Sequence, residues 1–120
     1  MTATFTIPEA SPSLNRYAHA HWRVESNDKK RWMLMLLARS RGVSEATGKR
    51  RLTVARHGVR KLDHDNFVGG LKGCIDCLRK LHLLVDDNEA GMELVCEQLP
   101  LSKGDDPHTT ITLTDLGETP

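Results

Sequence analysis

Between Arg51 and Leu81 the spacing of apolar residues changes from two to about 3.6. Over Arg51–Val59, Leu52, Val54 and Arg56 alternate with Thr53, Ala55 and His57, the pattern of a strand. From Asn66 onward, Phe67, Val68, Leu71, Cys74, Ile75, Leu78 and Leu81 recur at helical spacing. A strand and an amphipathic helix joined in this way must each bury one face, which predicts a helix packed on a sheet. The corner between them reads Lys61-Leu62-Asp63-His64-Asp65-Asn66.

The stretch Lys61–Asn88 holds five of the sixteen carboxylates: Asp63, Asp65, Asp76, Asp86 and Asp87. Taking about 100° per residue from Asp65, Lys72 falls near 340°, Asp76 near 20° and Gly69 near 40°, all on one face. The apolar set lies between about 160° and 300°, on the other. Leu83-Leu84-Val85 then runs into a second acidic corner, Asp86-Asp87-Asn88. Two readings of these acids stand side by side. Asp63 or Asp65 caps the helix and Asp86–Asn88 is a solvated turn. Alternatively, they form a divalent-metal site, since Mg²⁺ takes oxygen ligands from one or two carboxylates plus substrate phosphate.

Asp63-His64-Asp65-Asn66, followed by a lysine and an aspartate on the next helix and an apolar run ending in Asp86-Asp87, resembles the RusA-type Holliday junction resolvases. Pro12-Ser13-Leu14-Asn15-Arg16 is similar to the Pro-Ser-x-Asn segment that follows the first strand in that family. Many members place the helix lysine three residues after the asparagine. Lys72 comes six after Asn66, a shift of three residues that turns it by about 300°, some 60° short of one full turn, and leaves it able to serve the same face. The resemblance implies a dimeric, Mg²⁺-dependent endodeoxyribonuclease, often carried by phages. It implies Asp63, Asp65 and Asp87 as metal ligands, with Asp86 the neighbour of Asp87, and Lys72 as the cation that neutralises charge on the scissile phosphate. Asp76 is read as structural.

The rest of the chain is read as support for that stretch. With 120 residues and 38% hydrophobic content, it suits one domain spanning 1–120. No run approaches the roughly 20 apolar residues of a membrane span, and MTATFTIPEA lacks a signal-peptide layout, so a cytoplasmic protein is expected. Cys74, Cys77 and Cys96 are odd in number and are read as core or near-core thiols in a reducing compartment. Residues 1–60 carry twelve Lys/Arg against four Asp/Glu (+8), and residues 61–120 five against twelve (−7). This asymmetry suits a polyanion held beside bound cations, or two halves that neutralise each other through solvated pairs.

Thr2–Ile7 reads as a first strand ended by Pro8 and Pro12, and Ser11–Arg23 as an ordered loop. Ser26-Asn27-Asp28 offers caps for a helix running to about Arg41 and stopped by Gly42. That start puts Lys29, Lys30 and Arg31 in the first turn, where cations oppose the helix dipole unless an anion lies near. Met92–Leu99 and His108–Leu113 read as two more strands, and Asp115–Pro120 as a frayed tail. The expected class is α/β, a small mixed sheet with two packed helices in the order β-α-β-α-β-β, RusA-like.

Function is expected to follow: a Mg²⁺-dependent nuclease that hydrolyses phosphodiesters at four-way DNA junctions in recombination and repair. Arg16, Arg23, Lys29, Lys30, Arg31, Arg60 and Lys61 are the candidate DNA contacts, and a homodimer would pair two sites. The competing class is a DNA-binding protein without nuclease activity. An Asp-x-Asp phosphotransferase is a third class, but the chain lacks a Gly-rich phosphate loop.

Overall fold

The alternation around Leu52 and Val54 forms strand β2 (Arg50–Gly58) in a computed structural model that describes residues 1–116. Three further strands, β1 (Thr2–Ile7), β3 (Met92–Pro100) and β4 (His108–Asp115), join it in a four-stranded mixed sheet of order β1-β4-β2-β3. β4 runs antiparallel to both β1 and β2, whereas β3 runs parallel to β2, with Leu52 opposite Leu94 and Val54 opposite Cys96. A parallel pair needs a long crossover, and the helical segment after Asp63 supplies it.

One face of the sheet is apolar. Phe5, Ile7, Leu52, Val54, Ile111 and Leu113 meet Trp32 and Leu36 of helix α1 (Trp22–Arg39) and Phe67, Leu71, Cys74, Cys77 and Leu78 of the crossover. Burial pushes the Cys74 thiol up to about 12, which keeps it protonated in the core. No helix among the described residues is long and apolar enough to cross a membrane.

Four expectations are corrected. Helix α1 begins at Trp22 rather than near Ser26, because extended His21 is its N-cap and accepts a bond from Arg23 N–H on its ring Nδ1 (3.1 Å). Lys29, Lys30 and Arg31 therefore lie in the helix interior, and the dipole argument for an anion beside them lapses. The second helix is two: α2 (His64–Gly70) and α3 (Lys72–Lys80). The Gly69-Gly70 pair weakens the helix, and Leu71 N–H bonds Val68 O in a tighter turn before Ile75 N–H resumes the helix on Leu71 O.

Arg50, counted in the basic half expected to meet a polyanion, is buried at 1% exposure. It donates to Asp115 (2.7 Å) and Leu83 O (3.1 Å). Asp115 and Leu116 are held rather than frayed: Asp115 ends β4 and its carboxylate also meets the Met1 amine at 3.3 Å. Residues 117–120 of the expected frayed tail lie outside the described residues.

Candidate functional site

At the end of β2 the chain is clamped before it turns into α2. Gln98 of β3 accepts from Leu62 N–H (2.8 Å) and donates to Leu62 O (2.7 Å), which fixes the approach to Asp63. Asp63 is extended and caps α2, its Oδ1 accepting from Asn66 N–H at 2.8 Å. The capping reading thus holds for one oxygen of this exposed carboxylate. His64 and Asp65 follow on the exposed first turn of α2. Asn66 reaches the other way: its Oδ1 accepts from Asn15 N–H (2.8 Å), tying the Pro12–Arg16 segment to the Asp63–Asn66 corner. Replacing Asp63 with alanine should lower stability by about 1 kcal/mol, and with asparagine by only a few tenths. Urea unfolding of both variants checks this; equal losses would show that the cap contributes nothing.

A groove of about 460 Å³ runs between the crossover helices and the start of β3. Gly69, Lys72, Asp76 and Asp87 line it together, with Met92 and Leu94 as an apolar floor. Lys72 and Asp76 were expected on one face, and they are. Asp63 and Asp65 do not line the groove; Asp65 lies one helical turn before Gly69. Among the described residues Lys72 makes no ion pair, while Asp76 is held by Lys29 (3.1 Å) and approached by Arg79 (4.0 Å). The space beside Gly69 and Gly70 is filled by the protein itself. Leu14 packs on Gly69, and the Pro12–Ser13 backbone packs on Gly70.

Asp86 and Asp87 have different tasks. Asp86 accepts from Asp87 N–H (2.8 Å) and Asn88 Nδ2 (3.3 Å), and Gly91 packs against its backbone. The Asp87 N–H bond chiefly lowers the Asp86 pKa, helped by Arg79. Asp86 shapes the turn, while Asp87 stands on the groove wall. Arg79 is the residue that sequence reasoning missed: its guanidinium lies 3.7 Å from Asp87, 3.8 Å from Asp86 and 4.0 Å from Asp76. The same wheel would place it near 320° from Asp65, beside Lys72, so the signal was in the spacing.

No three His, Cys, Asp or Glu side chains converge on a metal position among the described residues. The donors present are nevertheless exposed carboxylate oxygens. These suit a hard ion that needs only one or two carboxylates and completes its shell with water and phosphate oxygens.

The candidate DNA contacts divide by what they already hold. Arg16 and Arg31 donate to Asp28 (2.6 and 2.9 Å), Arg31 also to Glu9 (2.8 Å), and Lys29 to Asp76. Asp28, read as a cap, is instead a buried hub that also accepts from the Tyr17 hydroxyl (2.8 Å). Burial alone would raise its pKa, but the bonds from Arg16, Tyr17 and Arg31 outweigh burial and hold it at about 2. Lys30 is exposed and without an ion pair among the described residues, and Arg23 lies over the Trp22 ring at 5.5 Å. Arg60 and Lys61 line a separate cavity beyond β2. Lys29–Asp76, Arg50–Asp115 and Arg51–Glu93 join the basic and acidic halves of the chain, so part of the charge asymmetry is neutralised internally.

Neither the known family models nor the curated proteins contain a match to this chain.

Proposed function

We propose that the protein is a RusA-like, Mg²⁺-dependent endodeoxyribonuclease that resolves four-way DNA junctions as a homodimer. The observation that carries this reading is the groove that gathers Lys72, Asp76 and Asp87. It is reinforced by the Asn15–Asn66 bond, which joins the two segments whose sequence resembles that family.

Asp87 on the groove wall would hold a Mg²⁺ ion that takes one or two protein carboxylates, with Asp63 and Asp65 at the neighbouring corner as the other candidate donors, and the ion would supply Lewis-acid chemistry at the phosphate. Lys72, exposed and without an ion pair among the described residues, would supply positive charge for a phosphate oxygen as negative charge develops on it. Arg79 positions the wall by holding Asp86 and Asp87 from the helix side. Arg23, Lys30, Arg60 and Lys61 hold the DNA arms. Arg16, Lys29 and Arg31 contribute less, since each already serves a carboxylate.

A synthetic four-way junction incubated with and without Mg²⁺ tests the reading, and metal-dependent paired nicks are the expected result. In single turnover, Lys72→Ala should slow cutting by a factor on the order of a hundred, the scale of losing one transition-state donor, with junction affinity unchanged. A rate within a few-fold of the parent would remove Lys72 from the site. A second reading, a DNA-binding protein without nuclease activity, is favoured by Asp63 serving as a helix cap. Junction binding without cutting at any Mg²⁺ concentration would select it.

A further inference from the structure

Beyond the ends of β2 and β3, Arg56, Arg60 and Lys61 face Leu99 and Leu101 across a cavity of about 510 Å³. Three cations line it and no acidic residue does. Its volume lies within the roughly 300–1,000 Å³ of small-ligand sites. Arg56 is fixed in place: its Nε donates to Ser11 O (2.9 Å) and its Nη1 to Arg60 O (3.0 Å). Two carbonyls orient the guanidinium without neutralising it. Among the described residues, no carboxylate lies within ion-pair reach of Arg56, Arg60 or Lys61.

Gly58 provides the room, because a Cβ there would collide with the guanidinium of Arg56. Burial also lowers the Arg56 pKa, so its charged form is under-solvated where it stands. Apart from Gln98, whose amide is held by the Leu62 backbone, the remaining side chains of the wall are apolar, with Val59 82% and Leu99 42% exposed. Unneutralised cations beside an exposed apolar wall select a ligand that carries an anionic group and a flat apolar part together.

We infer that this cavity holds one nucleotide of an unpaired DNA strand, its phosphate on Arg56, Arg60 and Lys61 and its base against Val59, Leu99 and Leu101. A base inside a duplex is stacked on both sides and has no free face to offer this wall; an unpaired one does. A free nucleotide has the same chemistry, and the strand is favoured because Lys61 leads within two residues to the Asp63 corner. The inference rests on the nuclease reading for the source of that strand alone.

The test is an amide chemical-shift titration of the metal-free protein with thymidine monophosphate, a short oligothymidylate and inorganic phosphate. Shifts should centre on Gly58, Arg60, Leu99 and Leu101, and the oligothymidylate should bind more tightly than the monophosphate. Equal binding of the monophosphate would overturn the strand in favour of a free nucleotide. Arg56→Gln should weaken oligothymidylate binding about tenfold or more, the scale of one charge-assisted pair.

Because that change also removes the bonds to Ser11 and Arg60, Leu99→Ala serves as the second variant. It should weaken nucleotide binding and leave inorganic phosphate unaffected. Shifts centred on the α1 cations, or parent-like binding by both variants, would overturn the site. If the parent cuts junctions but shows no shifts here, this inference alone falls. If it shows the shifts but never cuts, the nuclease reading alone falls.

Discussion

Gly70→Ala should destabilise the protein by about 3 kcal/mol, the upper end for forcing extra volume into a packed site. A Cβ at this buried position would collide with Pro12 O and stand 2.9 Å from Pro12 C and 3.0 Å from Ser13 C. All three are backbone atoms, so relief requires moving the whole Pro12–Ser13 segment away from α2. That displacement would also strain the Asn15–Asn66 bond. The two neighbouring glycines provide the control. A Cβ at Gly69 would stand 2.8 Å from Leu14 Cδ2 and 3.2 Å from its Cβ and Cγ, so the half-exposed Leu14 side chain must give way and offset the gain in helix propensity, whereas one at Gly73 would meet only Lys29 Cγ at 3.9 Å. Gly73→Ala should therefore gain up to about 1 kcal/mol of helix propensity, and Gly69→Ala should be near neutral. Thermal unfolding of the three variants decides the matter. Equal tolerance at Gly70 and Gly73 would mean that Pro12–Ser13 does not rest on the helix.

Asp28→Ala should cost about 3 kcal/mol, because it strips the shared acceptor from Arg16, Tyr17 and Arg31. The loss stays at the lower end for a buried ion pair because both arginines are about half exposed, 50% and 46%, and can rehydrate. The pH dependence follows from the depressed pKa. The folded state holds Asp28 at about 2 and the ordinary value is 3.8, so the folded state favours the ionised form. Its contribution, about 2 kcal/mol from the shift, is complete above pH 3.8, falls with pH below that, and is gone below pH 2. The stability gap between parent and variant should narrow over this window in acid unfolding curves. A gap that stays constant from pH 5 to pH 2 would place the energy in packing rather than charge.

The four strands are legible in the sequence because a period of two is written locally, in runs such as Thr2–Ile7 and Leu52–Val54. Their order is not. Thr2 pairs with Thr114 and Arg51 with the same Thr114, and β-propensity carries no record of a partner a hundred residues away. The start of α1 is misread because Ser26-Asn27-Asp28 has the chemistry of a cap, while the actual cap is a histidine ring nitrogen. Asp28 points inward only because Arg16 and Tyr17, from a separate segment, come to meet it.

Within the site, the shared face of Gly69, Lys72 and Asp76 is legible from helical geometry and survives the break at Leu71. The occupation of the glycine face by Pro12–Leu14 and the convergence of Arg79 on Asp86 and Asp87 are tertiary facts, although Arg79's side of the helix is local. The apparent basic surface of the N-terminal half shrinks for the same reason: among the described residues, four of its nine arginines, Arg16, Arg31, Arg50 and Arg51, have carboxylate partners that folding supplies.

The strand order also dictates a timetable. β4 lies between β1 and β2, yet of the four strands in this sheet it comes last in sequence. During synthesis β2 is finished at Gly58, and about fifty residues pass before β4 begins at His108, a delay of roughly 2 to 10 seconds at typical translation rates. Throughout that interval β1 has no neighbour and one side of β2 stands bare, the kind of edge that recruits other chains. The nascent protein should depend on chaperones in this window and be aggregation-prone if elongation stalls before His108. Its first strand waits for its last, and the sheet closes in one late step rather than growing outward strand by strand.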